Sequence, residues 1–210
     1  MKNTLLSITL LFLTACNTPE PQEKSKLDSN HLPYVTIEKS DTKEMKELKT
    51  ALSKYTQATI DNDIKTLIDF IYPKAFNIVS KEKMLEMLNT TFDSGKVPKV
   101  KDVKHTKIEE IKKYDAGLYS IITSSMTTIV KSPRPDDAKF ETYMLETLQK
   151  RLSSRGTVTL DKEKHLFNIL HTNKTIALNE NGSWKFVGFK QAEKYISKGI
   201  FPLSLIDKLN

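Results

Sequence analysis

Four histidines, a few clustered acids and one cysteine hold most of the chemistry this sequence could perform. Imidazole titrates near neutral pH without help, so His165 and His171 come first. They flank the β-prone run Leu166-Phe167-Asn168-Ile169-Leu170 and stand six residues apart, a spacing that a regular strand converts into a shared face. On the pocket side of a sheet the pair could bind a metal or move protons. On the opposite face both are surface residues, the commoner arrangement. No third ligand stands at a useful spacing, and the residues imply no cofactor or metal. His105 lies in a charged run and is expected at the surface; His31 belongs to a polar N-terminal stretch. Of the acids Asp61, Asp63 and Asp69, two sit at a helix junction, where carboxylates satisfy the free amides of a helix start. Tyr72, Tyr119, Phe140 and Trp184 could line a pocket for an apolar ligand, although such aromatics more often pack a core. There is no HExxH, no GxSxG, no Walker sequence and no glycine-rich phosphate loop.

Cys16 is the chain's one thiol, which excludes an internal disulfide and a thiolate metal site. It closes Leu13-Thr14-Ala15-Cys16, after Lys2 and the apolar run Leu5-Leu6-Ser7-Ile8-Thr9-Leu10-Leu11-Phe12. That run is about half the ~20 residues a spanning helix needs. The pattern resembles the signal peptide and lipobox of bacterial lipoproteins. The resemblance implies cleavage after Ala15 and a membrane anchor of acyl chains on the thiol and amine of Cys16. One chain holds a protein marginally, at about 0.8 kcal/mol per buried methylene, whereas several hold it essentially permanently. In Gram-negative members an aspartate after the cysteine often retains the protein at the inner membrane. Asn17 therefore implies the outer membrane, and the scattered acids Glu20 and Glu23 favour its periplasmic face.

The 210 residues, 38% of them hydrophobic, suffice for one good core. The formal charge is +7, and removing a leader that carries Lys2 and no acid leaves +6. Arg134, Arg151 and Arg155 are the only arginines, and the lysines are spread among glutamates. A solvated surface explains this pattern better than a nucleic-acid partner, for which the guanidinium fork is favoured.

The elements that must position these residues follow from periodicity. A leader at 1–15 precedes a tether at 16–40, rich in proline, lysine, glutamate and serine. Ser40-Asp41-Thr42 opens a helix with Met45, Leu48, Leu52, Tyr55 and Ala58 at helical spacing. Asp61-Asn62-Asp63 breaks it, and a second helix ends before Pro73. Ser80 opens a third, which Gly95 stops. Residues 100–111 are ambiguous, 117–130 form a long strand, and Asp115-Ala116-Gly117 is a hairpin turn. A further helix carries Phe140, Met144, Leu148 and Leu152 and ends at Gly156. Three strands follow, from Thr157 towards Leu170, at 174–178 and at 183–189, with a turn at Asn179-Glu180-Asn181-Gly182. A short C-terminal helix is expected at 203–209.

Helices first and a strand meander after them imply an α+β fold with N-terminal helices packed on a curved antiparallel sheet. The order is similar to the NTF2-like (SnoaL-like, cystatin-related) cone over about 41–190, with 191–210 as a helical tail. The residues carrying the resemblance are Tyr55-Thr56-Gln57-Ala58, Asp63, Leu67 and Gly182-Ser183-Trp184-Lys185-Phe186. The ending Phe201-Pro202-Leu203-Ser204-Leu205 looks like the tail of envelope lipoproteins sharing this domain. Such folds include enzymes, which place an Asp/His pair or a Tyr with an acid inside the cone, and binding modules. The expected function is a non-catalytic, membrane-anchored binding module for a partner protein or small apolar ligand. The alternatives are an isomerase, dehydratase or hydrolase using His165 or His171 with an aspartate, and a structural component of an envelope complex.

Overall fold

A hydroxyl cap starts the first helix. Thr42 accepts the Met45 N–H at 3.2 Å and opens α1, Lys43–Asp61. The helix stops at Asn62, in the left-handed region at φ 59°, which a carboxamide tolerates better than most side chains. Asp63 caps α2, Ile64–Asp69, by accepting the Thr66 N–H and hydroxyl. Pro73 opens a 3₁₀ turn, Pro73–Asn77, and the Ser80 hydroxyl accepts the Lys83 N–H at the start of α3, Lys81–Asp93. The structure, a computed structural model, describes residues 34–93 and 98–201 together with Leu205. Ala15, Cys16, His31 and Gly95 lie outside the described residues, as does 203–209 apart from Leu205.

The remaining elements are β1 (Lys99–Ile108), β2 (Lys112–Tyr114), β3 (Gly117–Lys131), α4 (Ala138–Leu152), β4 (Gly156–Asp161), β5 (Leu166–Asn179), β6 (Lys185–Gly188) and α5 (Phe189–Ser197). The six strands form one antiparallel sheet in an α+β fold, in the order β1-β3-β5-β4, with β2 also on β3 and β6 also on β5. The long strands β3 and β5 are its spine, paired without interruption from Leu118–Asn179 to Lys131–Leu166.

Alternation along the strands divides the core in two. On the inner face, Leu48 and Leu52 of α1 pack with Ile122, Ala177, Trp184, Phe186 and Val35. Further along the same face, Met144, Leu145, Leu148 and Leu152 of α4 cover Val158, Phe167 and Ile169. On the outer face, Tyr119, Ile176, Leu178 and Val187 meet Ala192 and Tyr195 of α5, with Phe201 and Leu205.

Three sequence expectations are corrected. Residues 166–179 form one continuous strand rather than two, and the break falls earlier, in a turn at 162–165. There the Asp161 carboxylate accepts the Lys164 N–H at 3.1 Å and His165 adopts φ 53°. Gly156 is the first residue of β4, not a helix terminator; a Cβ there would lie 2.2 Å from the Leu170 carbonyl oxygen and 2.8 Å from His171 Cα. Phe189 opens α5 instead of ending a strand, because Phe189, Ala192, Tyr195 and Ile196 recur at helical spacing over the outer cluster.

Candidate functional site

Between the stretches of inner face that α1 and α4 cover, polar side chains cross the sheet. Register sets His105 of β1 opposite Ser124 of β3, and Ser124 opposite Asn173 of β5. His105 Nδ1 lies 2.8 Å from Ser124 Oγ, and its Nε2 lies 2.9 Å from Thr56 Oγ1 on α1. Asn173 Nδ2 continues the row to His171 Nε2 at 2.8 Å. Thr56 and Ser124 are buried, and burial pushes His105 down from 6.5 to about 4, so its ring is neutral at pH 7. A neutral imidazole donates through one nitrogen and accepts through the other, so one hydroxyl accepts and the other donates.

Hydroxyl, imidazole and hydroxyl in line resemble the start of a nucleophilic triad. The third member, however, is an alcohol and cannot stabilise an imidazolium as a carboxylate does. The row instead joins α1 to the sheet through a histidine satisfied on both nitrogens. This corrects the expectation that His105 is exposed. Its neighbours Lys104 and Lys107 are exposed, and strand alternation turns the intervening ring inward.

His171 and His165 do not form one site. Six residue steps along the chain put them roughly 20 Å apart, too far to share a metal. His171 is half-buried; burial and the Arg155 charge hold it below the ordinary imidazole range, outweighing the Ile169 backbone. Its Nδ1 is buried with no partner among the described residues. His165 precedes β5, and its Nδ1 lies 3.1 Å from Oε1 of Glu141, a buried acid of α4. Asp63 caps a helix, Asp61 accepts from Gln57 Nε2 at 2.7 Å, and Asp69 pairs with Lys81 at 2.8 Å. No aspartate is hydrogen-bonded to a histidine among the described residues, and no group of three His, Cys, Asp or Glu there could hold a metal.

The four candidate aromatics are dispersed. Tyr72 and Tyr119 belong to the outer cluster and Trp184 to the inner one, while Phe140 carries the Arg134 guanidinium 4.8 Å above its ring. The sequence reading overlooked Glu180. Its Oε1 accepts from the Tyr72 hydroxyl at 2.6 Å and the Tyr114 hydroxyl at 2.7 Å, and Lys74 Nζ stands 3.2 Å from Oε2. Burial pushes this carboxyl up, but the two tyrosines and Lys74 outweigh it and hold it below its ordinary value. Burial, and then the carboxylate they serve, push both tyrosine hydroxyls up. With both phenolic protons committed to one oxygen, the cluster ties the turn at 179–182 to residues 72 and 114. A glutamate in a turn gave no sequence signal of this.

The two concavities that stand out on the described surface are open rather than enclosed. Both lie on the outward side of α4, lined by Lys139, Thr142, Tyr143 and Glu146 and, one turn on, by Tyr143, Glu146, Lys150 and Arg151. Tyr143, 67% exposed, belongs to both. Lys139, Tyr143, Glu146 and Lys150 make a single helical stripe. Comparison of the chain with family models, with curated proteins and with solved structures finds no match.

Proposed function

We propose that this chain is a lipid-anchored protein of the bacterial cell envelope that presents an NTF2-like domain, 41–190 with its helical tail 191–210, to a partner protein. The observation that carries the reading is Leu13-Thr14-Ala15-Cys16 directly after a short apolar run. Cleavage after Ala15 and acylation of Cys16 place the domain on a ~25-residue tether, with a reach of a few tens of ångströms by random-coil scaling. In a Gram-negative cell, Asn17 favours the outer membrane, and the scattered acids Glu20 and Glu23 favour its periplasmic face. The order of helices, three strands, a helix and three strands supports the NTF2-like reading.

A partner protein is favoured over a small apolar ligand because side chains of the two inner clusters occupy the space between sheet and helices. The exposed Tyr143, flanked by Lys139, Lys150 and Arg151, has the composition of an interface anchor. The test is incorporation of an alkyne-bearing fatty acid in cells, beside Cys16→Ala. Label and envelope recovery lost in the variant are expected; an unlabelled wild-type chain overturns the anchor. Affinity capture from solubilised envelopes with and without Tyr143→Ala then tests the surface, and equal recovery of the partner excludes it.

One contact favours a second reading, an enzyme of hydrolase type. His165 and Glu141 are a histidine and a carboxylate within hydrogen-bond reach. Turnover of an ester, amide or phosphoester chromogenic substrate that Glu141→Gln abolishes would establish it. Absence of turnover across the panel removes it.

A further inference from the structure

Beyond α5 the outer face of the sheet carries lysines and hydroxyls in register. Register places Lys104, Ser125 and Thr172 side by side across β1, β3 and β5, and in the next row Lys107, Thr123 and Lys174. The three lysines and Thr172 are exposed, and Thr123 and Ser125 are half-buried. The hydroxyls of Thr123, Ser125 and Thr172 have no hydrogen-bond partner among the described residues, although each sits on a rigid paired strand. Arg155 lies at the end of the first row, its carbonyl accepting the Thr172 N–H at 2.8 Å. Lys104 has no ion pair among the described residues, Lys107 is matched by Glu109 at 3.0 Å, and Lys174 stands 5.8 Å above the Phe189 ring. The acids of this face are Glu109, paired with Lys107, Asp102, one row further on beside Thr127, and Asp161 at the far edge opposite Leu166.

We propose that this face is a binding surface for an anionic glycan. Lysine ammonium groups give charge-assisted hydrogen bonds to carboxylates or phosphates, and hydroxyls that both donate and accept match the hydroxyls of a sugar. The strands fix the spacing, so little side-chain order is lost on binding apart from the lysines. The chemistry disfavours other occupants. A protein partner would be anchored by aromatic or apolar groups, and Leu170 stands alone here at 46% exposure. Single-stranded nucleic acid would need stacking rings, which these rows lack. The positive balance of the chain, +7, supplies the long-range attraction. The site is separate from the α4 stripe and does not depend on the lipid anchor.

The test uses the full chain in detergent micelles, titrated with a hexameric oligogalacturonate and followed by backbone amide shifts. Neutral cello-oligosaccharide of equal length and an oligoglutamate peptide serve as competing probes. The expected result is shifts confined to β1, β3 and β5 around Ser125 and Thr172, weakened by salt. The Lys104→Glu/Lys174→Glu variant should bind about tenfold more weakly, through a few exposed charge contacts. Ser125→Ala/Thr172→Ala should weaken the sugar acid more than the peptide, while Lys150→Glu on α4 leaves binding unchanged. Thermal melts confirm that each variant is folded. Shifts that follow lysines over the whole surface, equal binding of the peptide, equal binding of the neutral sugar, or no shift would each overturn the proposal.

Discussion

His105 should make the fold acid-sensitive in a way that one substitution removes. Its ring is half-buried between Thr56 and Ser124, and desolvation pushes it down from 6.5 to about 4. The native value lies below the unfolded one, so the contribution to stability is whole above pH 6.5. It is lost as the pH falls towards 4, where the unfolded chain binds a proton that the native chain refuses. Each pH unit in that window is worth about 1.4 kcal/mol, so the full loss is about 3 kcal/mol. His105→Gln keeps a donor and an acceptor but cannot titrate. Urea unfolding of both proteins at pH 7.5 and pH 4.5 provides the assay. The advantage of the wild-type chain over the variant should shrink by roughly 2 kcal/mol between the two pH values. Carboxylates such as Glu180 titrate in both proteins and cancel. An advantage that does not change with pH, or a His105 titration midpoint near 6.5 by proton NMR, would refute the buried polar row.

Other outcomes follow from single contacts. Gly156→Ala drives a Cβ to 2.2 Å from a backbone oxygen of β5, which cannot rotate away, and should destabilise the domain by about 3 kcal/mol in chemical denaturation. Glu180→Gln removes the charge that accepts two tyrosine hydroxyls and should cost roughly 2 kcal/mol at neutral pH. Because the native Glu180 carboxyl titrates below its unfolded value, that penalty should be present at pH 7 and fade as the pH falls through the native titration. A penalty that persists undiminished at low pH would show that the charge is not what holds the tyrosines. Leu48→Ala, at a fully buried position under α1, should cost about 3 kcal/mol in the same assay, and a loss below 1 kcal/mol would show that α1 is loosely docked.

Local chemistry was readable in the chain. The cap at Thr42, the break at Asn62, the stop before Pro73 and the hairpin at Asp115-Ala116 each depend on residues adjacent in sequence. The long β-prone stretch of β3 and the helical stripe of α4 follow from periodicity alone. The histidines show where this ends. Charged neighbours suggested an exposed His105, but the facing of a strand residue depends on its register against the next strand, which charge does not encode. The six-residue spacing of His165 and His171 suggested a shared site, yet His165 meets Glu141, brought in by α4, while His171 meets Asn173, two residues along its own strand. Gly156 read as a helix end because the strand that crowds it lies fourteen residues further on. Sequence alone determined the α+β order, the start of the first helix and a lone cysteine in a distinctive setting. Tertiary structure decided which polar groups meet, because hydrogen bonds and burial depend on distance in space, and antiparallel pairing joins residues whose separation in sequence carries no trace of the contact.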